Sequence, residues 1–399
     1  MSARSVEEHS AHVSGLLAGL HTLPPEHIPV PNSLSRIASS DVRSPVDLPL
    51  FRNSQMDGYA VDAASVRTTP VTLPVRGVLA AGSGEPPRHR PGSAFRIMTG
   101  APIPDGADAV VPVEDTSNVT DGTVTIERGR AVGEFVRERG SDVDAGTVLL
   151  EAGTLLQPRH VAVLAAVGSV TISVRTRPKV AVITTGSELK HAGTQLNPGE
   201  IYDSNGTALA TLAEANGADV VSVARSTDDP AMFRELLSHA TAAADLVFTS
   251  GGVSMGDFEV VKETLTPLGG TFGHVAMQPG GPQGTAVVND VPVLSFPGNP
   301  VSTMVSFEIF ARADIRRAAG LSPIGRERLP LREPLRSIPG KRQFLRARRV
   351  DGGVELVAGP GSHLVAAMAW ADLLVDVPAT VTGLDVGALV DVVALSTAH

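Results

Sequence analysis

From residue 178 onward, near-continuous apolar runs alternate with segments of helical periodicity, and this alternation limits the possible folds more than any other feature of the sequence. The runs are KVAVITT (179–185), ADVVSVAR (218–225), ADLVFTS (244–250) and VPVLSF (291–296). Strands have this composition when helices cover both faces of a mostly parallel sheet. The sequence therefore predicts a three-layer α/β/α domain over residues 176–326, within an α/β multidomain protein.

The remainder of the chain shows three different patterns. Residues 1–49 are predicted to form one or two helices that end in a proline-rich, extended exit. Short β-like runs divided by Gly, Pro and Asp indicate a β-rich module over residues 50–140. Because residues 141–175 resume a mixture of strand and helix, we interpret the module as an insertion into a discontinuous N-terminal domain of residues 1–49 and 141–175. Residues 327–399 include a proline-rich connector and are otherwise strand-like, which predicts a small β-barrel or sandwich.

The composition excludes several classes of protein. The apolar runs fall far short of the about 20 residues that span a bilayer, so no membrane segment is expected. The N-terminal residues lack the pattern of a secretory signal. The absence of cysteine excludes disulfides, iron–sulfur clusters and thiolate zinc sites, and it fits a reducing compartment, with the cytoplasm as the expected location. The net charge of −9 argues against broad nucleic-acid binding, which requires a basic surface.

Four glycine-rich loops are predicted to meet at one edge of the α/β sheet, because ligands of open sheets bind outside the carboxyl ends of the strands. The loops are Gly186–Glu188, Gly251–Gly256, Gln278–Pro282 and Pro297–Ser302. Successive unobstructed N–H groups in glycine turns bind anions, and a helix that starts at Asn299 or Pro300 adds its positive end. The four loops together indicate a site for a phosphate-bearing small molecule, although each loop alone is also compatible with a plain tight turn.

Acidic residues are frequent at the same edge of the sheet. They are Glu188, Glu200, Asp203, Asp228, Asp229, Asp257 and Glu259. Mg²⁺ is held by one or two carboxylates while it keeps waters and phosphate oxygens, so a phosphate site beside these acids implies the metal. The alternative for Asp228 and Asp229 is N-capping of the helix that follows them. N-capping of the helix that follows them is likewise an alternative role for Asp203, Ser204 and Asn205.

Two segments of the first half, around Asp57 and across residues 96–115, look in isolation like ordinary turns. Together with motifs further along the chain, they closely resemble the molybdopterin molybdotransferase family, known as MoeA in bacteria and as the C-terminal part of gephyrin in animals. The matching motifs, in family order, are NSQMDGYAV (53–61), RIMTGAPIPDGADAVVPVE (96–114), VRERGSDV (136–143), VAVITTGSEL (180–189), GEIYDSN (199–205), TSGGVSMGD (249–257), FPGNPVS (296–302) and RQFLRAR (342–348). The resemblance covers the chain from about residue 36 to residue 378.

This resemblance implies an enzyme that takes adenylylated molybdopterin, binds molybdate, inserts the metal between the dithiolene sulfurs and cleaves the pyrophosphate to release AMP, with Mg²⁺ assisting. Breaking a phosphoanhydride depends on positioning and charge compensation more than on covalent protein chemistry. The resemblance also implies that the loop Gly251–Gly256 holds a phosphate of the substrate.

The family resemblance implies partners as well as substrates. It implies a homodimer whose N-terminal domain serves in dimerisation or as a linker and whose active cleft lies between subunits. The C-terminal module that carries Arg346 and Ser362 is then expected to help complete the cleft of the partner. Whether other enzymes of molybdenum cofactor biosynthesis dock to the protein stays open, as does the choice between molybdenum and tungsten.

The resemblance and the loop pattern together assign three groups of site residues. The catalytic group is Asp57, Thr99, Asp142 and Glu188. The substrate-binding group is Gly186, Ser187, Asp203, Ser204, Gly251, Gly252, Ser254, Gly256, Pro282, Pro297, Gly298, Asn299, Pro300, Ser302, Arg346 and Ser362. The metal-binding group is Asp228, Asp257 and Glu259. Within the second group, the residues that match positions linked to the oxyanion site are Ser302, Arg346 and Ser362.

Two departures from the family pattern bear on activity. Many members have Lys-Pro-Gly-Lys-Pro where this chain has glutamine at 278 and glycine at 281, so two positive charges are missing beside a doubly negative oxyanion. Glu259 stands where aspartate is usual, with Asp257 as a nearby substitute. The missing lysines favour an alternative function, a catalytically weakened molybdopterin-binding or scaffold paralogue. A third reading, adenylylation of molybdopterin, is opposed by the retained N-terminal and C-terminal modules.

Overall fold

A computed structural model of the chain describes residues 3–82, 84–120, 122–253 and 259–395. The chain separates into two compact units, one made of Met1–Glu26 with Arg175–His399 and the other of His27–Val174. The four domain boundaries predicted from the sequence are finer than this division and stay predictions. No helix in the described ranges is both long enough and apolar enough to cross a membrane.

The first helix, α1 (Val6–Leu16), continues as a 3₁₀ helix over Leu17–Thr22. Its start is fixed by a capping box, in which the Ser5 N–H donates to Glu8 Oε2 over 2.8 Å and the Glu8 N–H donates to Ser5 Oγ over 3.0 Å. One face of this helix is buried in the core of its unit through Val6, Val13 and Leu17. The predicted N-terminal helix is therefore confirmed.

The helical prediction is wrong for the rest of residues 1–49, which form short strands, a brief 3₁₀ turn over Val30–Asn32 and irregular backbone. The segment contains Pro24, Pro25, Pro29, Pro31, Pro45 and Pro49. Proline removes a backbone donor and fixes φ, so a helix cannot continue through such a segment.

The unit His27–Val174 consists of short strands around one sheet. In chain order its elements are β1 (Glu26–Pro29), β2 (Val42–Arg43), β3 (Asn53–Ser54), β4 (Gly58–Val61), β5 (Val71–Leu79), β6 (Ala94–Ile97), β7 (Ala109–Pro112), β8 (Thr116–Thr120), β9 (Thr123–Ile126), β10 (Val136–Arg137), β11 (Val148–Leu150), α2 (Pro158–Ala166) and β12 (Thr171–Val174). Six strands form a sheet in the order β7-β4-β6-β5-β9-β8, and two-stranded ladders join β1 to β12, β3 to β10 and β2 to β11. The β-rich module and the helix α2 are as predicted.

The close packing of β4 against β7 explains why the motif NSQMDGYAV has glycine at position 58. The strand β4 is buried along its whole length between β6 and β7. A Cβ atom at position 58 would lie 2.0 Å from the carbonyl oxygen of Val111 on β7. Only glycine permits this approach of the two backbones, and the turn that carries Asp57 is held at the start of the strand.

The α/β part of the other unit contains the predicted alternation of strands and helices. In chain order its elements are β13 (Lys179–Thr185), β14 (Leu189–Lys190), β15 (Ile201–Tyr202), α3 (Ser204–Ala215), β16 (Asp219–Ser226), α4 (Pro230–Ala243), β17 (Leu246–Ser250), α5 (Val260–Leu265), β18 (Thr271–His274), β19 (Met277–Gln278), β20 (Pro282–Val288), β21 (Val291–Phe296), α6 (Pro300–Ser306) and α7 (Arg312–Ala318). A π-helical stretch, Phe307–Ala311, joins α6 to α7. The sheet order is β16-β13-β17-β21-β20-β18. The first four strands pair in parallel, and β20 pairs antiparallel with both β21 and β18.

Successive residues of β13 are buried on opposite faces of the sheet. Val180 and Val182 belong to one core cluster, together with Leu209 of α3, whereas Ala181 and Ile183 belong to a second cluster with α4 and α5. Both faces are covered by helices, so the middle of the strand, residues 180–183, is an unbroken apolar run. The predicted three-layer architecture is confirmed.

The C-terminal residues form a second sheet within the same unit. Its elements are β22 (Arg326–Pro330), β23 (Leu335–Arg336), β24 (Arg342–Val350), β25 (Gly353–Leu356), β26 (Leu373–Val377), β27 (Gly383–Leu384) and β28 (Leu389–Ala394). The order is β19-β24-β26-β28-β22, with β25 also paired to β24 and a bridge between Leu331 and Val354 that brings β25 towards β22, as in a small barrel. The strand β19 comes from the α/β part, and its pairing of Gln278 with Gln343 ties the loop that follows it to the C-terminal sheet.

Candidate functional site

A cavity of about 440 Å³ lies at the carboxyl edge of the parallel strands, and we call it the acidic cavity. Three of the four predicted loops line it, those that follow β13, β17 and β21. The predicted site residues on its wall are Gly186, Glu188, Asp203, Ser204, Asp228, Gly251, Gly252, Glu259, Gly298, Asn299 and Pro300. Ser254, Gly256 and Asp257 lie outside the described residues, so their predicted roles stay predictions.

The glycines of these loops allow close packing. A Cβ atom on Gly186, whose φ is +148°, would lie 2.6 Å from a carboxylate oxygen of Glu188. A Cβ atom on Gly251, whose φ is +95°, would lie 2.6 Å from the carbonyl oxygen of Thr185. Positive φ favours glycine at both positions, and the close backbone contact requires it at Gly251, so these glycines set the shape of the wall whether or not an anion is bound.

Only some of the loop N–H groups are available to an anion. The Gly251 N–H donates to the Phe296 carbonyl over 3.1 Å, and the Gly186 N–H donates to the Ser226 carbonyl over 3.2 Å. Within the described part of the chain, no acceptor bonds the N–H groups of Gly252 or Val253. Among the described residues of this loop, the predicted N–H site for a phosphate is therefore narrowed to Gly252 and Val253.

Asp228 and Asp229 have different roles, which resolves the alternative left open by the sequence. Asp229 is the N-cap of α4 and accepts from the Ala231 N–H over 2.8 Å. Asp228 lines the acidic cavity instead, and its Oδ2 accepts from the Ser187 hydroxyl over 2.6 Å and from the Ser187 N–H over 3.3 Å. The loop after β13 thus orients a carboxylate towards the cavity.

Asp203 combines a structural role with a place on the cavity wall. It is the N-cap of α3, where it accepts from the Gly206 N–H over 3.0 Å, and it also accepts from the Thr184 hydroxyl over 2.6 Å. The neighbouring Asn205 was not among the predicted site residues. Its amide donates to Ser250 Oγ over 2.9 Å and to the Gly298 carbonyl over 2.7 Å, and it therefore joins the ends of two loops. The sequence signals for this role were its place in the motif GEIYDSN and at the start of a predicted helix.

A second cavity, of about 400 Å³, adjoins the first and shares Val253, Gly298 and Asn299 with it. It is formed by the remaining predicted loop, Gln278–Pro282, by the start of α6 and by loop residues of the C-terminal part, 341 and 360–363. The predicted site residues on its wall are Pro282, Pro297, Gly298, Asn299, Ser302 and Ser362. No described residue of its lining is an aspartate or a glutamate, so we call it the carboxylate-free cavity.

Arg346 lies behind this cavity rather than on its wall. It is 4% exposed and donates to the carbonyl of Gly361 over 3.1 Å and to the carbonyl of Gly359. Burial lowers the pKa of its guanidinium, whose charge is met by these carbonyl dipoles. Arg346 positions the loop that carries Ser362, and its predicted role in binding an oxyanion stays a prediction.

The loop that carries Ser362 faces the α/β part of its own chain. The Val301 N–H at the start of α6 donates to the Ser362 carbonyl over 3.3 Å, and Ser302 and Ser362 both line the carboxylate-free cavity. We expected this C-terminal segment to complete the cleft of a partner subunit. This backbone hydrogen bond holds the segment against its own chain, and its contribution to the cleft of a partner subunit stays a prediction.

The residues at the two positions where many family members have lysine, Gln278 and Gly281, make other contacts. The Gln278 Oε1 accepts from Gln343 Nε2 over 2.5 Å, and Gly281 lies against the imidazole of His274. His274 and Lys341 both line the carboxylate-free cavity, although neither was predicted as a site residue. Lys341 lies 60 residues beyond position 281 in the sequence, and no local motif connected the two.

In the unit His27–Val174, the structure brings Asp57 and Thr99 together. The N–H and the hydroxyl of Thr99 donate to Asp57 Oδ1 over 2.7 and 2.9 Å. These hydrogen bonds, the backbone one first, lower the pKa of Asp57 and keep it ionised. Asp142 is exposed, and its backbone N–H donates to the Leu48 carbonyl over 2.9 Å. The catalytic roles of all three residues stay predictions.

Comparisons with known proteins agree with this architecture. Family models match the MoeA N-terminal region (domain I and II) at residues 4–168, a probable molybdopterin binding domain at residues 181–317 and the MoeA C-terminal region (domain IV) at residues 328–395. The chain is 41% identical to molybdopterin molybdenumtransferase 2 of Mycobacterium tuberculosis over 96% of its own length and 98% of that protein. It is 39% identical to the molybdopterin molybdenumtransferase of Nostoc sp. over 72% of its length and 68% of that protein.

A solved structure extends the likeness to the whole chain. The molybdopterin biosynthesis MoeA protein of Pyrococcus horikoshii superposes with a TM-score of 0.79 at 32% identity, covering 98% of this chain and 99% of that one. Sequence, family models and fold agree from end to end, and the chain belongs to the MoeA family of molybdopterin molybdenumtransferases.

Proposed function

We propose that this protein is a molybdopterin molybdenumtransferase that inserts molybdate into adenylylated molybdopterin and releases AMP in molybdenum cofactor biosynthesis. One observation carries the proposal: two adjoining cavities have opposite charge character, since carboxylates line one and none lines the other. The reaction needs such a pair, because it brings a phosphoanhydride and a metal oxyanion together while keeping their negative charges apart.

The acidic cavity suits a pyrophosphate held through Mg²⁺. Within the described residues no three carboxylates or histidines converge as a ready metal cage. Mg²⁺ needs only one or two carboxylates when phosphate oxygens and waters complete its shell, and Asp228 and Glu259 lie on the wall beside Gly252. Bound Mg²⁺ would stabilise the negative charge that develops as the anhydride breaks. Ser187 orients Asp228, and Glu188 lies on the same wall as a further acid.

The carboxylate-free cavity suits a tetrahedral oxyanion. The hydroxyls of Ser302 and Ser362 and the amide of Asn299 supply donors, and no described carboxylate on its wall repels the anion. Because the two cavities share wall residues, an oxyanion bound in one would lie next to a substrate bound in the other. Such proximity supports the proposal, since it would position molybdate and pyrophosphate before the anhydride is cleaved.

The family resemblance adds features that we include in the proposal. We expect a homodimer with active clefts shared between subunits, in which Asp57, Thr99 and Asp142 act in catalysis. The cytoplasm is the expected location, because the chain has no cysteine. Docking of other molybdenum-cofactor enzymes is compatible with this proposal and is tested by co-purification.

The direct test is release of AMP from adenylylated molybdopterin by the purified protein with Mg²⁺. We expect release that depends on molybdate and stops when Mg²⁺ is chelated. Tungstate in place of molybdate shows which metal is preferred. Pterin binding without any AMP release would instead favour a molybdopterin-binding scaffold, the alternative suggested by Gln278 and Gly281. AMP release that is independent of added oxyanion would contradict the coupling of the two cavities.

A further inference from the structure

Lys341 is exposed, lines the carboxylate-free cavity and has no role in any of the motifs described above. The other side chains on this wall that are able to carry a positive charge are His274 and His363. Within the described lining, Lys341 is therefore the single permanent cation. We propose that Lys341 sets the affinity of this cavity for a tetrahedral oxyanion, in place of the lysines that are missing at positions 278 and 281.

The charge of Lys341 is not neutralised by a neighbour. No described carboxylate forms an ion pair with its ammonium group, whereas Lys190 of β14 pairs with Glu200 over 3.3 Å. The adjacent Arg342 is fully engaged, because its Nε and Nη2 donate to the two carboxylate oxygens of Asp376, each over 2.6 Å. Of these two neighbouring cations, only Lys341 is available to an anion.

Backbone pairing fixes Lys341 beside the loop that lacks the lysines. The Arg342 N–H donates to the Ala276 carbonyl over 2.9 Å, and Met277 pairs with Arg342 in the ladder between β19 and β24. Lys341 is thus held one residue before a strand that is in register with the start of the loop. Lys341 thus supplies, next to the loop, the positive charge that the loop lacks.

Position 281 cannot supply this charge as the protein stands. A Cβ atom there would lie 2.3 Å from Cε1 of His274, so the imidazole occupies the space that a side chain needs. The pKa of His274 is lowered, first by burial and then by the charge of Lys341, which leaves a neutral ring at neutral pH. His274 and Lys341 line the same cavity, where His274 contributes a hydrogen-bonding ring and Lys341 the charge.

The inference rests on the proposed function for the identity of the anion, and direct binding tests it without turnover. Molybdate is titrated into the full-length protein, without pterin, and binding is followed by calorimetry. We expect Lys341→Ala to raise the Kd for molybdate about 10-fold or more, since a charge-assisted contact is lost, and Lys341→Arg to stay within about threefold of the parent. The control is Lys179→Ala, which removes the same charge at the amino-terminal end of β13, away from the carboxyl edge of the sheet.

Two results would overturn the inference: equal Kd values for the parent and Lys341→Ala, or a parent protein that binds no molybdate. The AMP-release assay separates this failure from failure of the proposed function. If the parent releases AMP with molybdate and Lys341→Ala has the same molybdate requirement, the function stands and the role of Lys341 falls. If no AMP is released but Lys341→Ala still loses molybdate affinity, the role of Lys341 stands and the function falls.

Discussion

The amino acid at position 281 is explained by the ring that lies against it. Gly281 does not have the positive φ that many glycines of this chain adopt, so its backbone would accept another residue. The obstacle is steric and comes from the imidazole of His274. A lysine at 281 and a histidine at 274 therefore compete for the same space, and the protein carries its cation at Lys341 instead.

This competition predicts a dependence of one substitution on another. Gly281→Lys alone should destabilise the fold by about 1–3 kcal/mol, because the His274 ring must leave its place. Gly281→Lys combined with His274→Ala should regain most of that stability and lower the Kd for molybdate about 10-fold, since a second cation then lines the cavity. Thermal unfolding and molybdate titration measure both effects, with His274→Ala alone as the control. If Gly281→Lys alone is as stable as the parent, the His274 ring leaves its place without cost and the prediction is wrong.

Adjacent aspartates give a second comparison at the same scale. Asp228→Asn should lower AMP release by about 10²-fold and raise the Mg²⁺ requirement, since a charge-stabilising carboxylate is lost from the acidic cavity. Asp229→Ala should instead cost about 0.5–2 kcal/mol of stability through loss of the α4 N-cap, with little effect on the Mg²⁺ requirement. Mg²⁺ titrations and unfolding midpoints of the two variants check the assignment. The reverse pattern would mean that the two roles are exchanged.

Among the elements, α1 shows how an outlying helix is fixed to the α/β part of its unit. The hydroxyl of Ser14 donates to Asp314 of α7 over 2.6 Å. The imidazole of His9 packs edge-on against Phe310, with ring centroids 4.7 Å apart. Phe310 lies in the π-helical stretch Phe307–Ala311, so α1 rests on the irregular middle of the last long helical segment.

Burial of His9 predicts a loss of stability in acid. Burial, then the charges of His12 and Arg4, lowers its pKa from 6.5 to about 4. Above pH 6.5 the ring is neutral in both the folded and the unfolded state. As the pH falls from 6.5 to 4 the unfolded chain binds a proton that folded His9 does not, so up to about 3 kcal/mol of stability is lost.

The measurement is the unfolding midpoint at pH 7.5 and pH 5.0, with hydrogen exchange of the α1 amides as a local probe. His9→Leu keeps an apolar contact with Phe310 and cannot titrate, so the difference between the two pH values should shrink. His12 and His274, whose pKa values are also lowered, leave a residual dependence in both proteins. An unchanged pH difference in His9→Leu would assign the effect to those histidines.

On the scale of the whole molecule, the predicted catalytic residues are divided between two compact units. Asp57, Thr99 and Asp142 belong to one unit, and Glu188 belongs to the other. In the proposed homodimer, the unit that carries Asp57 acts with the unit that carries Glu188 in the second subunit. A symmetric dimer then has two equivalent clefts, each made from both chains.

Mixed dimers test this arrangement. Asp57→Asn and Asp228→Asn should each be nearly inactive alone, whereas co-expression of the two should restore about a quarter of the parent activity, because half of the dimers are mixed and each mixed dimer has one intact cleft. Sedimentation measures the oligomeric state, and AMP release measures the recovery. A monomer with full activity, or a dimer without recovery, would exclude clefts shared between subunits.

The sequence by itself determined the three-layer domain, the β-rich module, the family and most of the wall of the acidic cavity. These features depend on local patterns: apolar runs buried on both faces, glycines at strand ends and motifs of a few residues. The same local reasoning was wrong for the helical reading beyond Thr22, where it gave too little weight to successive prolines.

Only the tertiary structure decided which of two adjacent aspartates caps a helix, and it placed Arg346 behind the loop of Ser362. It also brought Lys341 to the loop of Gly281, because the pairing of β19 with β24 sets which distant residues become neighbours. Periodicity and motifs describe a segment and its faces, whereas the register between segments far apart in sequence is fixed by packing of the whole core. The charge of the carboxylate-free cavity therefore follows from the folded chain and not from the loop motif.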